Sequence, residues 1–248
     1  MRAALCALGA CLSLWSGTLR GAESLPMTLR LGFGTDKPPY IFEAQQRGLE
    51  YDIVVGAALR GGFSVSTVFA PLARLHSMLV HHEIDGTATT NPTAADAACY
   101  SKPYIDYHNV AMALAERHLQ IASIADLGHY SVSSFQRSRD LLGPEFDRMA
   151  AANPHYREEA NQISRNMLLF SGRVDVIVGD QRILAYFSHR VADRVNAAQP
   201  VTIYDLFPTS SYSVGFSEPK FCAAFDAGLD ELRRSGEYAR IEQRYRND

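Results

Sequence analysis

The chain has 248 residues, with 24 basic and 27 acidic side chains and 47% hydrophobic content. That is enough for one large or two small folded units with real cores. A formal net charge of −3 gives no electrostatic case for nucleic acid as a partner. Residues 1–22 read as a secretory signal peptide: Arg2, an apolar stretch from Ala3 to about Trp15, then small and polar residues. The stretch is too short for a membrane span, which needs about 20 apolar residues. Leu8–Cys11 also resembles a lipoprotein cleavage site. Past this segment only Cys99 and Cys222 remain of the four cysteines, and export would permit a bond between them without requiring one.

In chain order, "LRLGFG" (29–34) alternates and meets glycines, as a first strand does. "GTDKPPYIF" (34–42) follows, a proline-stiffened loop flanked by aromatics. "YDIVVGAALRGG" (51–62) has helical spacing with Ile53, Val54, Ala57 and Ala58 on one face and stops at a glycine pair. A strand is expected over 65–70, a helix over 72–82 and a short strand over 84–90, with another strand at 109–114. Strand–helix–strand–helix–strand favours an α/β fold with a largely parallel sheet.

The pattern then restarts. A short helix is expected over 123–127 behind a Ser cap, a strand over 130–135 and one helix over 139–153. "NQISRNMLLFSGRVDVIVGD" (161–180) reads as a helix, a glycine stop and an apolar strand ending in an acid. A helix follows at 181–194, then strands in "VTIYDLF" and "SYSVGF". From Pro219 two helices break at Ser235–Gly236, with Phe221, Phe225, Leu229 and Leu232 on one face. Neither a flexible linker nor a short-period repeat is visible.

Taken together, these segments resemble the periplasmic solute-binding proteins of the polar amino-acid type, family 3, over nearly all of the chain past the leader. "GTDKPPYIF" is similar to the family's first-strand motif and "GLEYDIV" (48–54) to its first helix start. "EIDG" (83–86), "YSKPYIDYHNVAMAL" (100–114) and "GRVDVIVGD" (172–180) resemble later family elements, and "LDELRRSGEYARIEQRYR" (229–246) resembles the closing helix pair. Their order and spacing carry the resemblance more than any single motif does. It implies a type II periplasmic-binding fold, two α/β lobes joined by two hinge strands. Residues 23–107 and 205–248 would form lobe one and 108–204 lobe two. Cys99 and Cys222 would then share lobe one, either as a disulfide, if their Cα atoms come within about 7 Å, or as buried thiols.

The resemblance also implies site residues, with ligand held at the carboxyl ends of the strands. Asp180 stands where the family binds the ligand's ammonium group, and an N-cap for the next helix fits it equally. Thr87 and Thr89 lie where hydroxyls and amides bind a carboxylate; turn chemistry is the other reading. Asp36 belongs to the first-strand motif, and Tyr40 can offer a stacking face while Phe42 fits a core position. Arg74 opens a helix near the cleft or carries a solvated charge, and Lys37 adds cleft charge or points to water. One departure matters: the family's carboxylate-clamping Arg falls at Ala94, and "NPTAADAACY" has no Arg. Arg137, Ser138 and Arg139 replace an uncharged nest in lobe two, so the anion-holding charge is expected there, with surface charges as the alternative. His81, His82, Glu83 and Asp85 have ligand chemistry but not the helical spacing for a shared metal. No cofactor, no metal and no catalytic residue are implied.

The expected role is a periplasmic, monomeric binding protein. It would close on a small polar or zwitterionic solute and present it to an ABC permease or a membrane sensor. A dehydratase of the cyclohexadienyl or arogenate type on the same scaffold, with Asp180 as its acid, is the alternative.

Overall fold

The computed structural model describes residues 26–95 and 97–246; the expected signal peptide lies outside them. The chain builds two sheets. The first holds β1 (Thr28–Phe33), β2 (Ser64–Phe69), β3 (Gly86–Thr90), β4 (Cys99–Tyr100) and β11 (Ser210–Phe216) in the order β2-β1-β3-β11-β4, with β5 (Ile105–Tyr107) paired to β11. The second orders β10 (Val201–Tyr204), β6 (Asn109–Leu114), β9 (Val176–Asp180), β7 (Val132–Phe135) and β8 (Tyr156–Glu159). Both sheets are mixed. β1 runs parallel to β2 and β3, while β11 is antiparallel to β3, and β6 is antiparallel to β9 and β10.

Two crossings join the lobes. The chain leaves the first sheet at β5 and enters the second at β6; it returns between β10 and β11. β5 and β11 pair antiparallel, Tyr107 opposite Ser210, so the crossings lie side by side. Asn109 Nδ2 ties them by donating to Ser210 Oγ at 2.9 Å.

In lobe one, α1 (Leu49–Arg60) and α7 (Pro219–Arg234) pack on the first sheet. A Cβ built at Gly228 would lie 2.0 Å from the Ala57 carbonyl, so only glycine allows this helix pair to come so close. Phe33, Phe216, Phe221 and Phe225 are all buried in the same core. α8 (Glu237–Arg244) and α2 (Leu72–Val80) complete the lobe. Cys99 and Cys222 are disulfide-bonded with Cα atoms 6.4 Å apart, which ties the edge strand β4 to α7.

In lobe two, β9 is buried along its whole length, as a strand covered on both faces requires. Apolar clusters lie on each side of it. The helix expected over 139–153 is two helices, α3 (Ser138–Leu141) and α4 (Pro144–Ala152). Gly143 adopts φ 90° and Pro144 opens the second helix, where its missing N–H costs nothing. The short helix at 123–127 is a 3-10 turn at Ala125–His129, and Asp126 accepts from Ser123 rather than the reverse alone. β4, β5 and β8 were not expected from the sequence.

Candidate ligand-binding site

The loop after β1 folds back on itself, with Tyr40 N–H donating to the Lys37 carbonyl at 3.0 Å. That turn buries both side chains between the lobes. Lys37 is only 3% exposed and its ammonium lies 2.7 Å from a Glu50 carboxylate oxygen. It also donates to the Thr89 hydroxyl. Glu50, on the inner face of α1, is fully buried and accepts from Thr89 Oγ1, Tyr104 Oη and, at 2.7 Å, Tyr107 Oη. Burial pushes the Glu50 carboxyl up, but the Lys37 charge and the hydroxyl donors outweigh it and hold the group below its ordinary range. Burial pushes Lys37 down, and Glu50 opposes the drop. Burial and the Glu50 charge raise both tyrosines, so their hydroxyls stay protonated donors.

Thr89 carries a second mark. Its φ is 57°, a left-handed conformation that a β-branched residue rarely adopts. Strain of this kind costs about 1–3 kcal/mol and persists where surrounding contacts dictate it. Those contacts are its hydroxyl between Lys37 and Glu50 and its N–H donating to Tyr104 Oη at 2.9 Å.

Lobe two contributes Asp180, at the end of β9 and 3% exposed. Of its two expected roles, the N-cap is the one seen. Oδ1 caps α6 (Gln181–Arg190) by accepting from the Arg182 and Ile183 N–H groups. Oδ2 accepts from His108 N–H at 3.0 Å and from Tyr40 Oη at 3.1 Å. Burial raises the Asp180 carboxyl, against the hydrogen bonds from Ile183, His108, Tyr40 and Arg182. Tyr40 stacks on Tyr107 at 4.1 Å between ring centroids, so it bridges lobe one, a hinge strand and lobe two.

The lobes are closed on each other. Besides Tyr40 and Asp180, Ala73 N–H donates to Gln136 Oε1 at 3.0 Å and Arg182 donates to the Tyr245 carbonyl. A cavity of about 20 Å³ remains between them, room for about one water molecule. Lys37, Leu72 and Thr89 line it from lobe one, and Tyr107, Asn109 and Tyr212 from the hinge. Phe135, Gln162, Arg165, Asp180 and Ile183 line it from lobe two.

The other expected residues lie elsewhere. Asp36 is exposed at the mouth and accepts from Glu43 N–H. Arg74 is exposed on α2 and off the cavity wall. Thr87 is buried in β3, opposite Gly32 and Gly215. Phe42 is half-buried, edge-on to Tyr186 and stacked by Arg47 at 3.9 Å. Arg137 pairs with Asp140 at 3.0 Å, Arg139 with Asp147 at 2.7 Å, and neither lines the cavity. Ser138 does not cap α3: it is that helix's first residue, and its hydroxyl meets Tyr156 Oη and Glu158. Glu50, Tyr104, Tyr107, Asn109 and Arg165 were not singled out from the sequence.

The two-sheet frame, the paired crossings and the buried charges between the lobes coincide with a family match over residues 29–248, to the bacterial extracellular solute-binding proteins, family 3. The chain belongs to that family. Among solved structures it is similar to an ancestral arginine-binding protein bound to arginine, at 20% identity and TM-score 0.72, covering 90% of this chain and 99% of that one. It is also similar to a histidine kinase sensor domain with similarity to periplasmic binding proteins, at 17% identity, TM-score 0.73 and coverage of 89% and 96%. A third is the ancestral amino acid-binding protein described as a precursor of cyclohexadienyl dehydratase, at 20% identity, TM-score 0.66 and coverage of 88% and 95%. At these identities the likeness speaks for the fold. No curated protein sequence matches the chain. Among the described residues no helix is long and apolar enough to cross a membrane.

Proposed function

We propose that this family 3 member is a periplasmic binding protein. It captures a small zwitterionic, amino-acid-like solute between its lobes and delivers it, as a monomer, to an ABC permease of the inner membrane. One observation carries the reading. Asp180 is a buried carboxylate on the cavity wall that accepts hydrogen bonds but has no cation within ion-pair distance among the described residues. A buried carboxylate left so is suited to a cation arriving from outside the chain. The test is a thermal-shift panel of the twenty amino acids followed by calorimetry. A ligand at a hundredfold excess over its Kd adds about 2.7 kcal/mol, a rise of roughly 5–10 °C for a chain of this size. No shift with any of the twenty would end the proposal.

The Asp180 charge also sets a pH dependence. Its carboxyl is raised in the protein, so it protonates at a higher pH than a free Asp, and a protonated carboxyl cannot hold an ammonium. Affinity is therefore expected to fall as pH drops through that raised value, from neutrality toward about pH 4. Asp180→Asn should bind at least tenfold more weakly at pH 7 and show no such fall. Calorimetric titrations between pH 4 and 7 check both, and parallel pH profiles for the two proteins would remove Asp180 from the site.

A second reading takes Asp180, buried on the cavity wall, as the general acid of a dehydratase of the cyclohexadienyl or arogenate type, in line with the likeness to a precursor of cyclohexadienyl dehydratase. Incubation with prephenate or arogenate decides it, by whether an aromatic product forms. A membrane sensor in place of a permease would leave the binding step unchanged.

A further inference from the structure

Arg165 is 1% exposed, among the most deeply buried large side chains of the protein. It sits on α5 (Gln162–Phe170), on the inner face with Leu169. Its Nη1 donates to the Val178 carbonyl at 2.9 Å, Nη2 donates to Gln162 Oε1, and the guanidinium lies 5.8 Å from the Phe135 ring centroid. Its Nε is buried with no hydrogen-bond partner. No described carboxylate lies within the 4.0 Å of an ion pair. Room for it comes from Gly179, where a Cβ would stand 2.9 Å from Nη1.

A guanidinium in this condition is costly: Asp180 and Glu159 favour its charge only from beyond ion-pair distance, and its Nε finds no acceptor to replace the water it has lost. Burial pushes its pKa down only to about 10, so the charge stays on at neutral pH. Among the described residues that line the cavity the other cation is Lys37, already matched by Glu50. Arg165 and Asp180 line the same cavity, and Val178 and Gly179, which seat the guanidinium, immediately precede Asp180 on β9. A positive and a negative group thus stand close together at the end of one strand, neither of them in a direct ion pair among the described residues.

Building on the binding role proposed above, we infer that Arg165 receives the carboxylate of the ligand while Asp180 holds its ammonium. The ligand is then gripped at both ends by lobe two, and lobe one closes over it with Tyr40 and the Lys37–Thr89–Glu50 network. The class favoured is a zwitterion whose opposite charges are a few ångström apart, as in an α-amino acid.

The experiment compares wild type with Arg165→Met and Arg165→Lys, using the twenty amino acids and, for each one that binds, its carboxamide. The carboxamide should bind wild type at least tenfold more weakly than the acid. Arg165→Met should lose at least about thirtyfold in affinity, or about 2 kcal/mol, while melting at or above the wild-type temperature without ligand. A purely structural arginine gives the reverse pattern, a lower melting temperature with affinity within threefold, and that result overturns the assignment while leaving the binding role standing. If Arg165→Met loses both, Arg165→Lys decides: recovery to within tenfold of wild type supports the assignment, and affinity as weak as that of Arg165→Met overturns it. If none of the twenty binds, the binding proposal fails separately. The role of Arg165 is then read with acetate, pyruvate and succinate, which should stabilise wild type and not Arg165→Met; equal stabilisation, or none, overturns it.

Discussion

Glu50→Gln should cost about 3–5 kcal/mol of folding stability, the penalty of leaving one member of a buried ion pair alone. Lys37 would keep only neutral acceptors, the Thr89 hydroxyl and the new amide carbonyl, in a site 3% exposed. Lys37→Met should cost less, because Glu50 retains three hydroxyl donors from Thr89, Tyr104 and Tyr107. The double variant should cost less than the two single changes together, by about 0.5–3 kcal/mol, since the groups are in direct contact. Urea unfolding measures all three, and a Glu50→Gln cost under about 1 kcal/mol would show that the network contributes little. The pH dependence has a definite sign. Glu50 is held below its ordinary pKa in the folded protein, so its contribution is present above the unfolded value of about 4.3. It is lost as pH falls through the folded value. Wild type should therefore lose stability below about pH 4 more steeply than Glu50→Gln.

The second large effect is expected at the disulfide. Cys99 and Cys222 are separated by 123 positions, and a closed loop of about 100 residues corresponds to roughly 4.7 kcal/mol in the chain-entropy description. Measured losses for native bonds run about 2–5 kcal/mol, or roughly 4–20 °C for a chain of this length at about 2–4 °C per kcal/mol. The Cys99→Ser/Cys222→Ser pair should melt lower by that amount. Ligand affinity should stay within threefold, because the bond joins β4 to α7 and neither cysteine lines the cavity. A melting temperature within 2 °C of wild type would show that the bond does not restrain the unfolded chain.

Much of the frame was legible because it rests on local pattern. The apolar run of β9 with its terminal acid, and the glycine stops after α1 and α5, announce themselves within a few residues. What was hidden depends on partners distant in the chain. Lys37 in a proline loop gives no local sign that Glu50, thirteen positions later on a helix face, will neutralise it. Arg165 reads as a polar helix position; it is inward only because Gly179 leaves space across the sheet. β4, β5 and β8 span four residues or fewer and carry little periodicity of their own. Arg137 and Arg139 looked like candidates because local sequence cannot reveal that Asp140 and Asp147 take up their charges.

The side-by-side crossings also bear on the order in which the molecule can assemble. The second sheet is an excursion between β5 and β11, so its strands are consecutive in the chain. The first sheet is not: its interior strand β11, which joins β3 to β4 and β5, and the helix packed on α1 arrive only with the last forty or so residues. During synthesis from the N-terminus, lobe two has all its parts while lobe one still lacks the strand that joins its two sides. The half that carries Arg165 and Asp180 is thus the half able to form first. The half that closes over them waits for the end of the chain, where α8 leads to Tyr245, whose hydroxyl meets Gly48 and Asp52 and whose carbonyl meets Arg182 of the opposite lobe.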